Sequence, residues 1–301
     1  MHFCIVLARV FMENAIFAYI IHYKIIVGMS NKNKVAIGIF YLLTTVSVFS
    51  HQCHYSQASG KEPTYRLIWQ ENFDSKVLDT TQWSRIKRGV PAWRRHMSTH
   101  ERLYDLKHGR IRLYCLRNTG WLKGDTARVV TGGITTEGKR HFSGYGKIEV
   151  KARISGAQGC WPAIWMTSVK YMNDPAWAEI DIMEYYNHDN HVVQTAHNTY
   201  ASVQKKQKEN EHSVHSSVNP KKWNVYGVEI LPDKLVFTLN GFPTYTYPKV
   251  KGKNIEYQFP YGVESFLRID MQWGNSWLRT DEADLPAHMD IDWVKYYRME
   301  S

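Results

Sequence analysis

From about residue 65 onward the chain is a succession of short runs in which apolar and polar side chains alternate. "YRLIWQENF", "RIRLYCLR", "YGKIEVKARI", "EIDIMEYY", "WNVYGVEIL", "KLVFTLNG", "SFLRIDMQW" and "MDIDWVKYYR" are among them. A repeat of two is the period of a β-strand, whose successive side chains point to opposite faces, and it does not suit the 3.6-residue turn of a helix. The runs are rich in β-branched and aromatic residues, and Gly, Pro and Asn bound them. No long amphipathic helix lies between them, which excludes a parallel sheet built from strand-helix-strand units. One all-β domain, an antiparallel sandwich or barrel, is the expectation. Asn240-Gly241, between "KLVFTL" and "FPTY", predicts a hairpin with a type I′ turn. The polar stretch 201 to 219, "ASVQKKQKENEHSVHSSVN", reads as a surface loop.

Residues 1–58 differ in character. From Met29 the chain reads "MSNKNK", then the apolar run Val35 to Phe49, then small residues at Ser56 and Ala58. This is the order of a secretory signal: basic, apolar, cleavable. Met29 is the expected initiator, residues 1–58 the leader, and residues 59–301 a single exported domain that is secreted, periplasmic or cell-surface. Neither apolar run reaches the roughly 18–20 residues of a membrane span, so no span is expected in the mature protein. Lipid attachment at Cys53 is disfavoured because "SHQ" precedes it. Outside the leader only Cys115 and Cys160 remain, either as a disulfide or as two buried thiols. No CxxC spacing occurs and the 14 His are scattered, which argues against a catalytic metal.

The leader holds Arg9, Lys24, Lys32 and Lys34 against Glu13, so the remainder keeps 34 basic and 27 acidic residues, a net charge of +7. A basic exported domain suits a polyanionic partner. Lys and Arg are spread along the chain without a nucleic-acid motif, so an anionic polysaccharide is the better fit. The 11 Trp and 19 Tyr agree, because these rings present an apolar face with a hydrogen-bonding edge.

The segment Glu179-Ile180-Asp181-Ile182-Met183-Glu184 carries three carboxylates in six residues. On a helix Glu179 and Asp181 would diverge by roughly 200°. On a strand they share a face, with Ile180 and Ile182 on the other, but Glu184 then falls out of phase. A β-bulge around Ile182 and Met183 would absorb one residue and return Glu184 to the acid face. The Cα atoms of Glu179 and Glu184 would lie roughly 13 Å apart at about 3.3 Å per step. Side chains leaning together could close this to the roughly 5–5.5 Å between the two carboxyls of a retaining glycosidase. Crowding would drive the three pKa values apart, leaving one acid ionised and another protonated.

"EIDIME" preceded by "GCWPAIWM" resembles the signature of glycoside hydrolase family 16 in its bulged, ExDxxE form. "WQENFD", "TGGITTEGKRHFSGYGKIEVKARI", "QTAHNTY", "WNVYGVEI" and "LPAHMDIDWVKYYR" extend the resemblance over nearly all of residues 59–301. It implies a β-jelly-roll sandwich of two antiparallel sheets with a concave substrate cleft. It also implies a retaining, endo-acting hydrolase with Glu179 as nucleophile, Asp181 as electrostatic helper and Glu184 as general acid/base. Trp161 would be a sugar-stacking platform, His197 a cleft histidine, and Trp93 and Trp277 cleft-edge aromatics. No cofactor is required for such catalysis. Some members hold a structural calcium with an aspartate of the last strand, a position matched here by Asp292.

Members with this spacing act on β-1,3- or mixed-linkage glucans or on red-algal galactans. A sulfate ester needs Arg or Lys donors. Arg94 and Arg95 beside Trp93, Arg128 before "VVTGG", and the net charge favour a monomeric porphyranase- or agarase-like hydrolase of a sulfated galactan. An endo-β-1,3(4)-glucanase is the alternative, and a non-catalytic carbohydrate-binding sandwich is the alternative of another class.

Overall fold

The computed structural model describes residues 63–172, 174–252 and 255–300. The expected leader, with Met29 and Cys53, lies outside the described residues. Sixteen strands are numbered in chain order. They are β1 Thr64–Glu71, β2 Ser84–Arg85, β3 Tyr104–Leu106, β4 Ile111–Arg117, β5 Val129–Thr131, β6 Gly133–Thr135, β7 Gly146–Ser155 and β8 Cys160–Ser168. Then follow β9 Ala178–Glu184, β10 His191–Asn198, β11 Ser213–Ser217, β12 Asn224–Ile230, β13 Lys234–Leu239, β14 Phe242–Pro248, β15 Ser265–Trp273 and β16 Ala287–Glu300. Nine strands form one antiparallel sheet in the order β14-β13-β12-β7-β16-β4-β3, with β1 also paired to β16 and β5 to β4. Seven form the second, β11-β10-β9-β8-β15-β6-β2. The alternating runs imply an antiparallel sandwich or barrel, and the resemblance implies a jelly roll; the structure is a two-sheet antiparallel sandwich of that kind.

Strand β7 shows how the pattern builds the core. Ile148, Val150, Ala152 and Ile154 are buried while Lys147, Glu149, Lys151 and Arg153 alternate on the outer face. The inner residues pack against Ile164, Met166, Ile180 and Ile182 of the facing sheet. Strands β8 and β9 are buried almost throughout, because their second face is also covered, by the side chains of the cleft. The turn at Asn240-Gly241 has positive φ at both residues, 54° and 79°. It joins Leu239 to Phe242 as a two-residue type I′ hairpin. Cys115 and Cys160 are buried free thiols in the core. Burial raises the Cys115 thiol, and the adjacent Cys160 adds to the effect.

The stretch read as a loop from 201 to 219 is not all loop. Residues Ser213–Ser217 form edge strand β11, paired to β10 from His191↔Ser217 to Thr195↔Ser213. Ser and His hide its alternation from a reading based on hydrophobicity. Its pairing is supplied by β10, a non-local partner. Among the described residues no helix is long and apolar enough to cross a membrane.

Candidate active site

The bulge expected in β9 is present. Against β8 the register runs Thr167↔Glu179 and Trp165↔Asp181, then shifts to Ala163↔Glu184. Against β10 it runs His197↔Glu179 and Thr195↔Asp181, then shifts to Val193↔Glu184. One residue of β9 is absorbed between Asp181 and Glu184 in both ladders. Glu179, Asp181 and Glu184 therefore share the cleft face, while Ile182 and Met183 are both fully buried in the core. The Ile182 carbonyl at the irregularity accepts from Nε2 of Gln194 at 3.0 Å. The same Gln194, fully buried, donates to the Thr238 carbonyl at 3.3 Å and accepts from the Thr244 hydroxyl at 2.5 Å. It ties the bulge to the opposite sheet.

Register across the sheet sets out the site in rows. Phe266, Thr167, Glu179 and His197 form one row; Arg268, Trp165, Asp181, Thr195 and Ser213 the next; Asp270, Ala163, Glu184, Val193 and His215 a third. Trp161 begins the row beyond and donates from Nε1 to Oε1 of Glu184 at 2.7 Å. His197 Nε2 lies 3.0 Å from Oδ2 of Asp181, and its Nδ1 meets the Ser202 hydroxyl at 2.8 Å. Asp270 is fully buried and receives Trp165 Nε1 and Gln272 Nε2, both at 2.9 Å. Its position requires Gly133 on β6, where a Cβ would come within 2.6 Å of the Asp270 Cβ.

Burial dominates the electrostatics. It raises Glu179 to about 8, reinforced by Asp181 and opposed by His197 and Arg268. It raises Asp181 to about 8, with Asp270 adding to the effect. It raises Glu184 to about 8, with Asp181 adding and the Trp161 donor opposing. Asp270 is raised to about 7 by the same desolvation. The three acids are therefore raised together by burial and not driven apart as their crowding alone predicts. Glu179 is the least buried of the three and the one with both an imidazole and a guanidinium opposing its protonation.

A cavity of about 440 Å³ opens beside Glu184. Trp161, Tyr186 and Trp277 make one wall, with ring centroids 5.1–6.0 Å apart. His197, His212 and His215 make another, with Thr195 and Ser213 between them. Trp277 is 56% exposed, a large ring left open to solvent at the mouth. Trp161, His197 and Trp277 are thus brought together with Glu184 as expected. Trp93, Arg94 and Arg95 are not among the residues that line this cavity. Trp93 stands edge-on to Trp165 at 4.9 Å, flanking the row of Asp181 from the other end of the face. Arg94 stacks over Trp93 at 5.4 Å and reaches the Arg88 carbonyl, while Arg95 is exposed. Arg128 is paired with Glu282 at 3.0 Å. Arg268, in the row of Asp181, is the guanidinium that acts on Glu179; it is enclosed by Trp93, Trp165 and Phe266 and paired with Glu137. Sequence reading missed Arg268, Asp270, Tyr186, His212 and His215. The alternation of "LRIDMQ" put Arg268 and Asp270 on one face, but only register shows that the face is this one.

Asp292, the residue matched to a structural calcium, lies on β16 beside a lysine. Its carboxylate is held by Lys151 Nζ at 2.7 Å. An ammonium so close competes directly with a dication for the same oxygens. The described residues hold one group of His, Asp and Glu with metal-ligand proximity, Glu179, Asp181 and His197, whose ligand atoms lie within 4.8 Å of one another.

Residues 107–295 match the model of glycosyl hydrolases family 16. The chain belongs to this family. Its similarities to individual proteins agree with that membership. It is 32% identical over 240 residues to a keratan-sulfate endo-1,4-beta-galactosidase of Sphingobacterium multivorum, covering 78% of this chain and 56% of the relative. The chain thus spans little more than half the length of that protein. It is 24% identical to a beta-glucanase of Rhodothermus marinus, covering 81% of this chain and 88% of the relative. Its fold is similar to the laminarinase from Flavobacterium sp. UMI-01, with a TM-score of 0.66 at 25% identity over 77% of this chain and all of that one.

Proposed function

We propose that this family 16 enzyme is an exported, retaining endo-β-galactosidase that cleaves an anionic, sulfated galactan. Glu179 attacks the anomeric carbon and becomes the covalent link to the sugar. Asp181, between the two glutamates and against His197, stabilises the charge changes on both. Glu184 protonates the departing glycosidic oxygen and then deprotonates the water that releases the product. The observation that carries these roles is the bulge, which returns Glu184 to the face of Glu179 with its carboxyl held at 2.7 Å by Trp161. The raised pKa keeps Glu184 protonated at neutral pH as an acid must be. Burial raises Glu179 to about 8 as well; His197 and Arg268 oppose that rise, in the direction a nucleophile requires.

The galactan reading is supported by the 32% identity to a keratan-sulfate endo-galactosidase and by the net charge of +7 that remains outside the leader. Porphyran and keratan sulfate, the latter named for that relative, are the sulfated candidates, and agarose is the neutral galactan beside them. The glucanase reading retains support of its own: among the described residues no arginine lines the cavity beside Glu184, and the beta-glucanase relative is matched over most of its length. One panel decides between them: porphyran, agarose, κ-carrageenan, keratan sulfate, laminarin and barley glucan, assayed for new reducing ends. Cleavage restricted to the two glucans overturns the galactan reading. Proton NMR of the first product should show the β-anomer, and Glu179→Gln should abolish turnover of whichever glycan is cleaved.

A further inference from the structure

The outer face of the nine-stranded sheet carries an unbalanced cluster of arginines. Asp290 on β16, fully buried, receives Arg112 through Nε at 2.5 Å and Nη2 at 2.9 Å. Arg153 of β7 reaches the same carboxylate through Nε and Nη2, both at 2.9 Å. Arg110 approaches it to 3.7 Å. That separation is beyond hydrogen-bond range. Three guanidiniums thus surround one carboxylate, an excess of two positive charges. Neighbouring acids do not cancel it: Asp292 is taken by Lys151 at 2.7 Å, and Asp105, opposite Arg112 on β3, pairs with Lys107 at 3.1 Å. His288, packed beside them, is pushed down by burial and then by Arg112, as a base in a positive field should be.

The cluster is also ordered and accessible. Arg153 lies 4.7 Å above the Trp223 ring and Arg112 5.8 Å from that of Tyr114. Such contacts with ring faces restrain both guanidinium planes. The side chains of Arg110, Arg112 and Arg153 are 28%, 25% and 36% exposed. With five N–H donors apiece, each guanidinium keeps some of them facing solvent. One arginine would neutralise Asp290; the charge of the other two is left over. Forked donors with spare charge beside aromatic rings are the chemistry that recognises sulfate or carboxylate groups on a sugar chain.

We propose that Arg110, Arg112 and Arg153 form a second, non-catalytic site for the anionic groups of a polysaccharide, on the sheet opposite the cleft. It rests on the reading of an anionic substrate and extends it, by giving the enzyme a hold on the same polymer away from the point of cleavage.

The test uses the Glu179→Gln protein, so that no glycan is cut, and affinity electrophoresis in gels containing dextran sulfate, polygalacturonate or neutral dextran. None of these polymers is a galactan or a β-glucan, so the result is independent of which glycan the cleft accepts. The protein should be retarded by one or both polyanions and not by dextran, which also distinguishes sulfate from carboxylate as the preferred group. Adding Arg110→Gln and Arg153→Gln should weaken retardation about tenfold, as expected for losing charge-assisted hydrogen bonds. Arg110→Gln alone, which breaks no hydrogen bond to Asp290, should weaken it with an unchanged melting temperature. Two exposed lysines elsewhere, Lys76→Gln with Lys123→Gln, should have little effect. Equal retardation of the arginine variants and their parent, or an equal loss in the lysine variant, overturns the site.

Discussion

Replacing Gln194 by Leu should damage the acid/base function proposed for Glu184 without touching a residue of the cleft. Gln194 is fully buried on the core side of β10 and holds the Ile182 carbonyl at 3.0 Å, at the point where β9 leaves its register. Leucine keeps most of the volume but leaves the Ile182 carbonyl and the Thr244 hydroxyl without this partner. The buried Ile182 carbonyl and the half-buried Thr244 hydroxyl each cost about 1–3 kcal/mol when so orphaned, about 2–6 kcal/mol together. In a domain of this size that lowers Tm by about 4–24 °C. The functional consequence is more specific. A relaxed bulge lets Glu184 swing off the line of the glycosidic oxygen, and a general acid contributes about 10²–10⁴-fold to rate. The loss in kcat should be large on polysaccharide, whose leaving group must be protonated. It should be small on a dinitrophenyl glycoside, whose leaving group departs without a proton. Gln194→Glu, which retains an acceptor and at low pH a donor, should recover part of the polysaccharide activity. Equal losses on both substrates, or a Tm unchanged from the parent, would refute the argument that Gln194 positions the acid through the bulge.

Three further outcomes follow from the same geometry. The acids of the cleft have folded-state pKa values above their unfolded ones, so their stability contribution is full below about pH 4 and is lost as pH rises towards 8. Asp181→Asn and Glu184→Gln should therefore raise Tm at pH 8 and change it little at pH 4; a gain at pH 4 alone would contradict the sign. Trp161→Phe removes the 2.7 Å donor that opposes the rise of the Glu184 pKa, so the alkaline limb of kcat/KM should move upward, read from the pH profile. Trp277→Ala removes an exposed ring from the mouth of the cavity. It should raise KM several-fold, about 1 kcal/mol of stacking, with kcat changed less; a selective fall in kcat would place Trp277 closer to the chemistry than the structure does.

The fold was legible because its determinants are local. Alternation in "GKIEVKARIS" states which residues of β7 face the core, whatever lies next to it. The bulge was legible for the same reason: three acids out of phase on one strand leave few ways to share a face. The site beyond β9 was not. Arg94 and Arg95 sit next to an aromatic in sequence, yet Arg94 lies on Trp93 itself and neither lines the cavity. Arg268, far along the chain on β15, joins the row of Asp181 instead. His212 and His215 came from a stretch whose polar composition resembles a loop.

What the sequence determined by itself was the class of architecture, the phase error in "EIDIME" and its repair, and hence the family of chemistry. What only the tertiary structure decided was which residues from other strands meet those acids: Trp161 on Glu184, His197 on Asp181, Gln194 under the bulge and three arginines around Asp290. Periodicity is a property of one strand, and a short run such as "EIDIME" carries it. Strand order and register are properties of pairs far apart in the chain, as Arg112 is from Asp290 by 178 residues and Thr64 from Glu300 by more, and the whole sheet sets them at once.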